Sequence, residues 1–334
     1  MSPAIPANSG PAAELRAARH GSILVDRSDC GRILFSGRDA ADLLHRLTTA
    51  AVKGLQPGQG TAAVFTTNKG RILDLVTLHR LPEGILAITA PGRAAPVIAW
   101  VERYTFREEV KAEDRTGSHA SLALHGAGAS RTIARMFGEP AAGLPRHHAA
   151  AVECGGSPAT LVRTWPLGGD GWLLVLPAAA LEPARAALRG ADAGLIDAGP
   201  AALEVLRIEA GLPAPGSELT EDHNPWEARL DEAIALDKGC YVGQEVIARL
   251  HTYRKVARLL VRLEMDGTIV PLPAAAIVRA GEKIGSITSA AGVPGEGRIV
   301  ALGYVRDEDA AAADTVMVES GEGLLAGRML GAAR

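Results

Sequence analysis

The run Asp237-Lys238-Gly239-Cys240-Tyr241-Val242-Gly243-Gln244-Glu245 sets a thiol near an ammonium between two glycines. In this spacing the charge of Lys238 favours the thiolate of Cys240, and Gly239 and Gly243 let the backbone turn tightly or approach a ligand closely. An isolated cysteine is more often a small buried hydrophobe with glycines that merely shape a turn. The flanking pattern tips the reading toward chemistry or ligand contact.

The run follows residues 230–236 as a loop or turn, and two Ala- and Leu-rich helices precede it at about 178–189 and 201–210. Farther upstream, residues 159–163 and 172–176 pair across the turn former Gly168-Gly169-Asp170-Gly171. Residues 122–126 read as a strand ending in a glycine. Nearer the start, 22–25 and 32–35 read as strands, and Asp39 can cap a helix whose Leu43, Leu44 and Leu47 share a face. Residues 61–67 and 72–79 form a hairpin turning at Asn68, Lys69 and Gly70, followed by a strand at 84–89 and a helix at 95–104. Downstream of about Tyr253 the texture changes to short, alternating, Gly-separated segments at 256–264, 276–278, 283–289, 299–305 and 315–318. These imply a small all-β module of barrel type.

Composition bounds the function. The chain has 334 residues and a net charge of -3, from 35 basic and 38 acidic side chains. No global field recruits nucleic acid or an anionic membrane. Cys30, Cys154 and Cys240 are an odd set with no CxxC spacing, which argues against a disulfide scaffold and against a four-thiolate metal site; a reducing cytoplasm fits best. The first twenty residues lack the basic start and apolar stretch of a signal peptide and read as a mobile tail. Nothing approaches the roughly 18 apolar residues of a membrane helix. Neither a Walker A sequence nor a convincing Gly-x-Gly-x-x-Gly after a strand is present, so nucleotide readings lack support. The histidines lack ligand spacing: His147-His148 are adjacent, His45, His79 and His125 have no matched partners, and His223 beside Glu221 and Asp222 reads as a solvated loop.

Lys-Gly-Cys-Tyr-x-Gly-Gln-Glu followed by Val246-Ile247-Ala248-Arg249 resembles the signature of the YgfZ-type folate-binding proteins, relatives of the T-protein (aminomethyltransferase) of the glycine cleavage system. The T-protein usually has an acidic residue where Cys240 stands, so the thiol resembles the YgfZ-type branch. The likeness runs from about Gly21 to Val318. Thr67-Asn68-Lys69-Gly70-Arg71-Ile72-Leu73-Asp74 is similar to the family's Asn-x-x-Gly-Gly-Ile-x-Asp-Asp stretch, and Leu206-Arg207-Ile208-Glu209 to its pocket helix. Gly281–Ser289 is similar to a turn and strand of its barrel.

The resemblance implies an α+β, T-protein-like architecture: two α/β subdomains (about 21–115 and 116–252) around a central folate cavity, then a C-terminal β-barrel domain at 253–334. It further implies tetrahydrofolate or a folate derivative as cofactor. Cys240, Lys238 and Asp74 would be the catalytic group, with Asn68, Asp74, Arg207, Glu209, Trp172, Tyr241 and Gln244 at the folate and Trp165 or Trp172 lining the cavity. The residue types agree: one carboxylate can bind a pterin edge through two charge-assisted contacts, and a cation can receive a glutamyl tail. Taken alone, Asp74 would more simply end a hairpin and Arg207 pair with Glu204 or Glu209.

The chain departs from the family's pattern in three ways. The paired aspartates become Asp74-Leu75, the T-protein glutamate is replaced by Leu173, and Cys240 supplants an acid. What the resemblance implies first is a tetrahydrofolate-binding accessory protein for iron–sulfur cluster assembly or repair, partnered by assembly factors or clients. In it Cys240 is a transient ligand or redox thiol, since one thiol cannot hold a stable cluster that takes about four ligands. The alternatives are a folate-dependent aminomethyl or one-carbon transferase with Asp74 as acid–base group, and a tRNA-modification-associated or protein-interaction module. The last rests on the basic stretch Arg249, His251, Arg254, Lys255, Arg258 and Arg262 at the start of a strand, which more often is a solvated face.

Overall fold

The computed structural model describes residues 10–253, 255–310 and 315–332. They fall into two compact units that divide the chain differently from a simple linear split. The first unit takes the chain up to Thr66, then Asp74–Gly199 and Glu232–Val242; the second takes Thr67–Leu73, Pro200–Asp231 and the chain from Gly243 onward.

The first unit carries two sheets. One has the order Ile196–Asp197, Ile23–Asp26, His119–Gly126, Asp170–Pro177, Ser157–Arg163, Ala149–Cys154. The expected pairing across the Gly168–Gly171 turn is present, with Trp172 opposite Arg163 and Val175 opposite Thr160. Helices Ala129–Phe137 and Leu181–Ala191 cover this sheet, and Leu122, Leu124, Ile133, Leu161, Trp172, Leu174 and Leu188 form the core between. The other sheet runs Gly60–Thr66, Ile72–Leu81, Gly84–Pro91, Cys30–Ser36, Lys111–Asp114. Arg32 ties its strand to the connection into the first sheet: the buried guanidinium donates to the carbonyls of Cys30, Ser28 and Thr116 and to Ser121 Oγ.

The segment expected to be a mobile tail is in part a helix, Pro11–His20, with Leu15 and Ala18 buried; residues 1–9 lie outside the described residues. Its Ala-rich composition is strongly helix-forming, with Pro11 in the first turn where a missing N–H costs nothing. Asp39 precedes the helix Ala40–Leu47 without capping it by its side chain; its carboxylate accepts the Glu109 N–H instead, at 2.8 Å.

In the second unit, strands Arg258–Asp266, Arg298–Arg306, Glu282–Val293, Ala276–Arg279, Thr315–Ser320 and Gly323–Ala332 close into a six-stranded barrel in that order. Alternation fills it: Val261, Leu263 and Met265 from one strand meet Ile287, Ile299, Val316 and Met329. Helix Pro200–Glu209 packs on strands Glu282–Val293 and Arg298–Arg306. The basic stretch expected at a strand start is divided: Arg258 opens the strand Arg258–Asp266 and Arg262 lies on it, as expected, whereas the earlier part belongs to a helix. Arg249 and His251 lie on the helix Gln244–Tyr253, which continues the signature, and Arg254 is outside the described residues. Among the described residues no helix is long and apolar enough to cross a membrane.

Candidate functional site

The signature loop is sewn onto the end of helix Ala40–Leu47. Thr49 Oγ1 donates to Ala233 O at 2.5 Å, Ala235 N to Thr49 O at 2.9 Å, and Val242 N to Arg46 O at 3.0 Å. Thr66 Oγ1 closes the far end on Val242 O at 2.7 Å. At the centre Lys238 Nζ donates to the carbonyls of Thr48 and Ala50, at 2.6 and 2.7 Å, and to that of His45. The Tyr241 ring lies 4.7 Å from the same nitrogen. Burial pushes the Lys238 ammonium down, to about 7. The three carbonyls work the other way, since they bond the charged form. All three donors of the ammonium are thereby engaged by backbone carbonyls. Lys238 anchors the loop. Cys240 itself is exposed, whereas Cys30 and Cys154 are buried. Burial holds the Cys30 thiol at about 11, against the pull of Arg27, whose Nη2 lies 3.0 Å from its sulfur.

Asp74 forms a second constellation in the same unit. On its strand it shares the buried side with Val76 and Leu78, and it is 2% exposed. Its Oδ2 accepts Arg93 Nε–H at 2.7 Å, whereas Oδ1 is buried with no hydrogen-bond partner among the described residues. Burial raises its pKa; Arg93 and the adjacent Leu75 N–H pull it down less strongly. Arg93 was not foreseen from sequence, because nothing in Pro91-Gly92-Arg93-Ala94 links it to a carboxylate 19 positions earlier.

Trp172 is a core residue. It is 1% exposed, donates Nε1–H to Ser130 Oγ at 3.1 Å, and has the Arg163 guanidinium 4.8 Å from its ring centroid. The strand alternation turns it into the core under helix Ala129–Phe137. Asp170, in the departed glutamate stretch, pairs with Arg163 at 2.6 Å. Trp165 sits edge-on to His147, centroids 4.4 Å apart.

The remaining expected residues lie in the second unit. Asn68 is exposed at the Thr67–Gly70 turn, which closes through Gly70 N–H to Thr67 O at 2.9 Å with Gly70 at φ +67°. Gln244 opens its helix, half-buried. Arg207 grips both oxygens of Glu204, at 2.8 and 2.6 Å, and reaches Leu212 O and Glu218 Oε2. Its guanidinium is thus committed to its own unit. Glu209 pairs with Arg298 at 2.8 Å rather than with Arg207.

Glu218, overlooked in the sequence, is fully buried. It accepts from Thr288 and Ser289 hydroxyls at 2.6 Å each and from Ala214 N at 2.8 Å. His223 is likewise buried rather than solvated. It stacks on Tyr304, centroids 3.6 Å apart, with Nδ1 3.8 Å from Glu227. Among the described residues no group of three or more His, Cys, Asp or Glu is arranged to hold a metal ion.

Comparison with known proteins fits this architecture. Residues 5–238 match the model of the GCVT N-terminal domain, and 258–331 that of the glycine cleavage T-protein C-terminal barrel domain. The chain is similar to a putative chloroplastic transferase of Arabidopsis thaliana, 32% identical over 306 residues, covering 91% of this chain and 70% of the relative. It is also similar to an aminomethyltransferase of Rubrobacter xylanophilus, 32% identical over 302 residues, covering 90% and 80%. Among solved structures, aminomethyltransferase T of the glycine cleavage system from Bartonella henselae superposes with a TM-score of 0.83 at 24% identity, over 96% of this chain and 88% of the other.

Proposed function

Since the chain belongs to the glycine cleavage T-protein family, we propose that it binds tetrahydrofolate through Asp74 and serves iron–sulfur cluster assembly or repair with Cys240 as its working thiol. Bound tetrahydrofolate would supply ring N–H donors and an amine able to carry one-carbon groups. The buried, half-paired carboxylate of Asp74 fits such a ligand, because a donor delivered to Oδ1 would satisfy an atom that is otherwise desolvated at a cost of about 1–3 kcal/mol. The single observation carrying the accessory role is that Cys240 alone of the three thiols is exposed, on a loop fastened through Lys238. An anchored, accessible thiol suits brief ligation or redox exchange with a partner.

A second reading, a folate-dependent one-carbon transferase, is favoured by Asp74: a buried carboxylate whose pKa burial raises, paired on one oxygen with Arg93, suits an acid–base group. The replacement of the family glutamate by buried Leu173 weighs against the glycine-cleavage reaction itself.

Thermal stabilisation by tetrahydrofolate tests the ligand. It is expected for the parent and lost in Asp74→Ala; at a hundredfold excess over Kd the gain is about 2.7 kcal/mol. No stabilisation of the parent would overturn the folate reading. Cys240→Ser then separates the roles. Loss of support for a cluster enzyme with folate binding intact is the expected result, and turnover of a methylated amine that ignores Cys240 would favour the transferase.

A further inference from the structure

Asp74 stands on a strand whose two neighbours in the sheet, Gly60–Thr66 and Gly84–Pro91, read GTAAVFT and GILAITAP. Neither contains an ionisable side chain. The helix beyond, Ala94–Glu102, reads AAPVIAWVE and carries its one charge at the far, exposed end. Within this apolar surround the charge that reaches Asp74 comes from Arg93, at the residue just before that helix, where Gly92 at φ +71° lets the chain turn out of the strand. The contact is directional: Nε–H to Oδ2 at 2.7 Å. The other carboxylate oxygen is left buried without a partner among the described residues.

We propose that Arg93 is a positioning residue for Asp74, fixing Oδ2 so that the carboxylate is held ionised in one orientation with Oδ1 presented to an N–H donor of the bound ligand. The assignment rests on the folate reading for the identity of that donor, but the coupling between the two side chains does not. A guanidinium is suited to this task because Nε–H lies in the plane of a rigid, permanently charged group. A lysine at the same place would restore the charge without the fixed direction. Methionine would remove both and leave the carboxylate with only the adjacent Leu75 N–H to favour ionisation in an apolar site.

The test compares the parent with Arg93→Met, Arg93→Lys, Asp74→Asn and the Asp74→Asn/Arg93→Met double variant. Unfolding stability is followed without ligand between about pH 4 and pH 8; the parent minus Asp74→Asn isolates the ionisation of Asp74. Its midpoint should rise in Arg93→Met by about one to three pH units, the range by which a close opposite charge shifts a carboxylate. In Arg93→Lys it should return most of the way. A midpoint that stays put in both variants would overturn the proposal, even if both are less stable, because a merely structural arginine changes the height of the curve and not its position.

The same set is then titrated with tetrahydrofolate. Binding should fall toward acid pH in the parent, fall at a higher pH in Arg93→Met, and be weak and flat with pH in Asp74→Asn. Should the ligand-free midpoint move while no variant, nor the parent, responds to tetrahydrofolate, the coupling stands and the folate reading fails. If instead the midpoint stays fixed while binding depends on Asp74, the folate reading stands and the positioning role of Arg93 fails.

Discussion

The Nζ of Lys238 stands 2.6 Å from the carbonyl oxygen of Thr48, across 190 positions of the chain. Together with the carbonyls of Ala50 and His45 it makes the signature loop a lid on the end of helix Ala40–Leu47, whose last carbonyls have no partner within the helix. Lys238→Met should therefore cost roughly 2–4 kcal/mol, since each buried carbonyl stranded costs about 1–3 kcal/mol. Lys238→Arg should not rescue it, because a planar fork cannot present three donors to a tripod of oxygens. Urea unfolding measures the loss, and faster alkylation of Cys240 in the variant would report the loosened loop. Unchanged stability would refute the anchoring role.

Glu218 offers a contrast between charge and shape. Its carboxylate accepts from two hydroxyls, a backbone N–H and Arg207, which makes Glu218→Ala expensive, about 3–5 kcal/mol, the usual cost of stranding one member of a buried pair. Glu218→Gln should cost clearly less, because the Thr288 and Ser289 hydroxyls can rotate to accept from the amide. Equal losses in thermal unfolding would argue against this account.

Trp172→Ala should destabilise by about 3–5 kcal/mol as a core truncation, and Trp172→Phe by less. Neither should alter the tetrahydrofolate affinity of the remaining folded protein. A tenfold change in affinity with Trp172→Phe would restore the tryptophan to the ligand site.

Acid should weaken the first unit through two buried imidazoles. Burial lowers His79 to about 4 and His125 to about 3. An unfolded histidine titrates near ~6.5. Below that value the unfolded chain takes up protons that the folded chain refuses, so stability present above about pH 6.5 is lost as pH falls toward 4 for His79 and toward 3 for His125. By pH 5 each imidazole accounts for a loss of roughly 2 kcal/mol, at ~1.4 kcal/mol per pKa unit. The difference in unfolding energy between pH 7 and pH 5 should shrink in His79→Gln; a variant as acid-sensitive as the parent would count against it.

Most of the fold was legible because the hydrophobic pattern was. Alternation marked the Ile72–Leu81 strand and five of the six barrel strands, and the leucines of Ala40–Leu47 marked its buried face. Gly323–Ala332 escaped notice because its glycines and exposed Leu324 and Leu330 break that alternation. The candidate site was legible only one residue at a time. Sequence selected Asp74, Lys238 and Cys240 but gave no means of seeing Arg93 beside the first or three carbonyl oxygens around the second, since backbone acceptors carry no residue identity. Glu218 was invisible for a related reason: a lone acid in Gly216-Ser217-Glu218-Leu219 looks like a loop charge until Thr288 and Ser289 close on it.

The order in which the first unit receives its parts also matters on the ribosome. Thr48 and Ala50 leave the tunnel long before Lys238, so at about 5–20 residues per second the carbonyls they contribute must wait roughly 10–40 seconds for the ammonium that joins them. During that interval the helix end has only water for those carbonyls, and a pause in translation before Lys238 would lengthen the time it stays open.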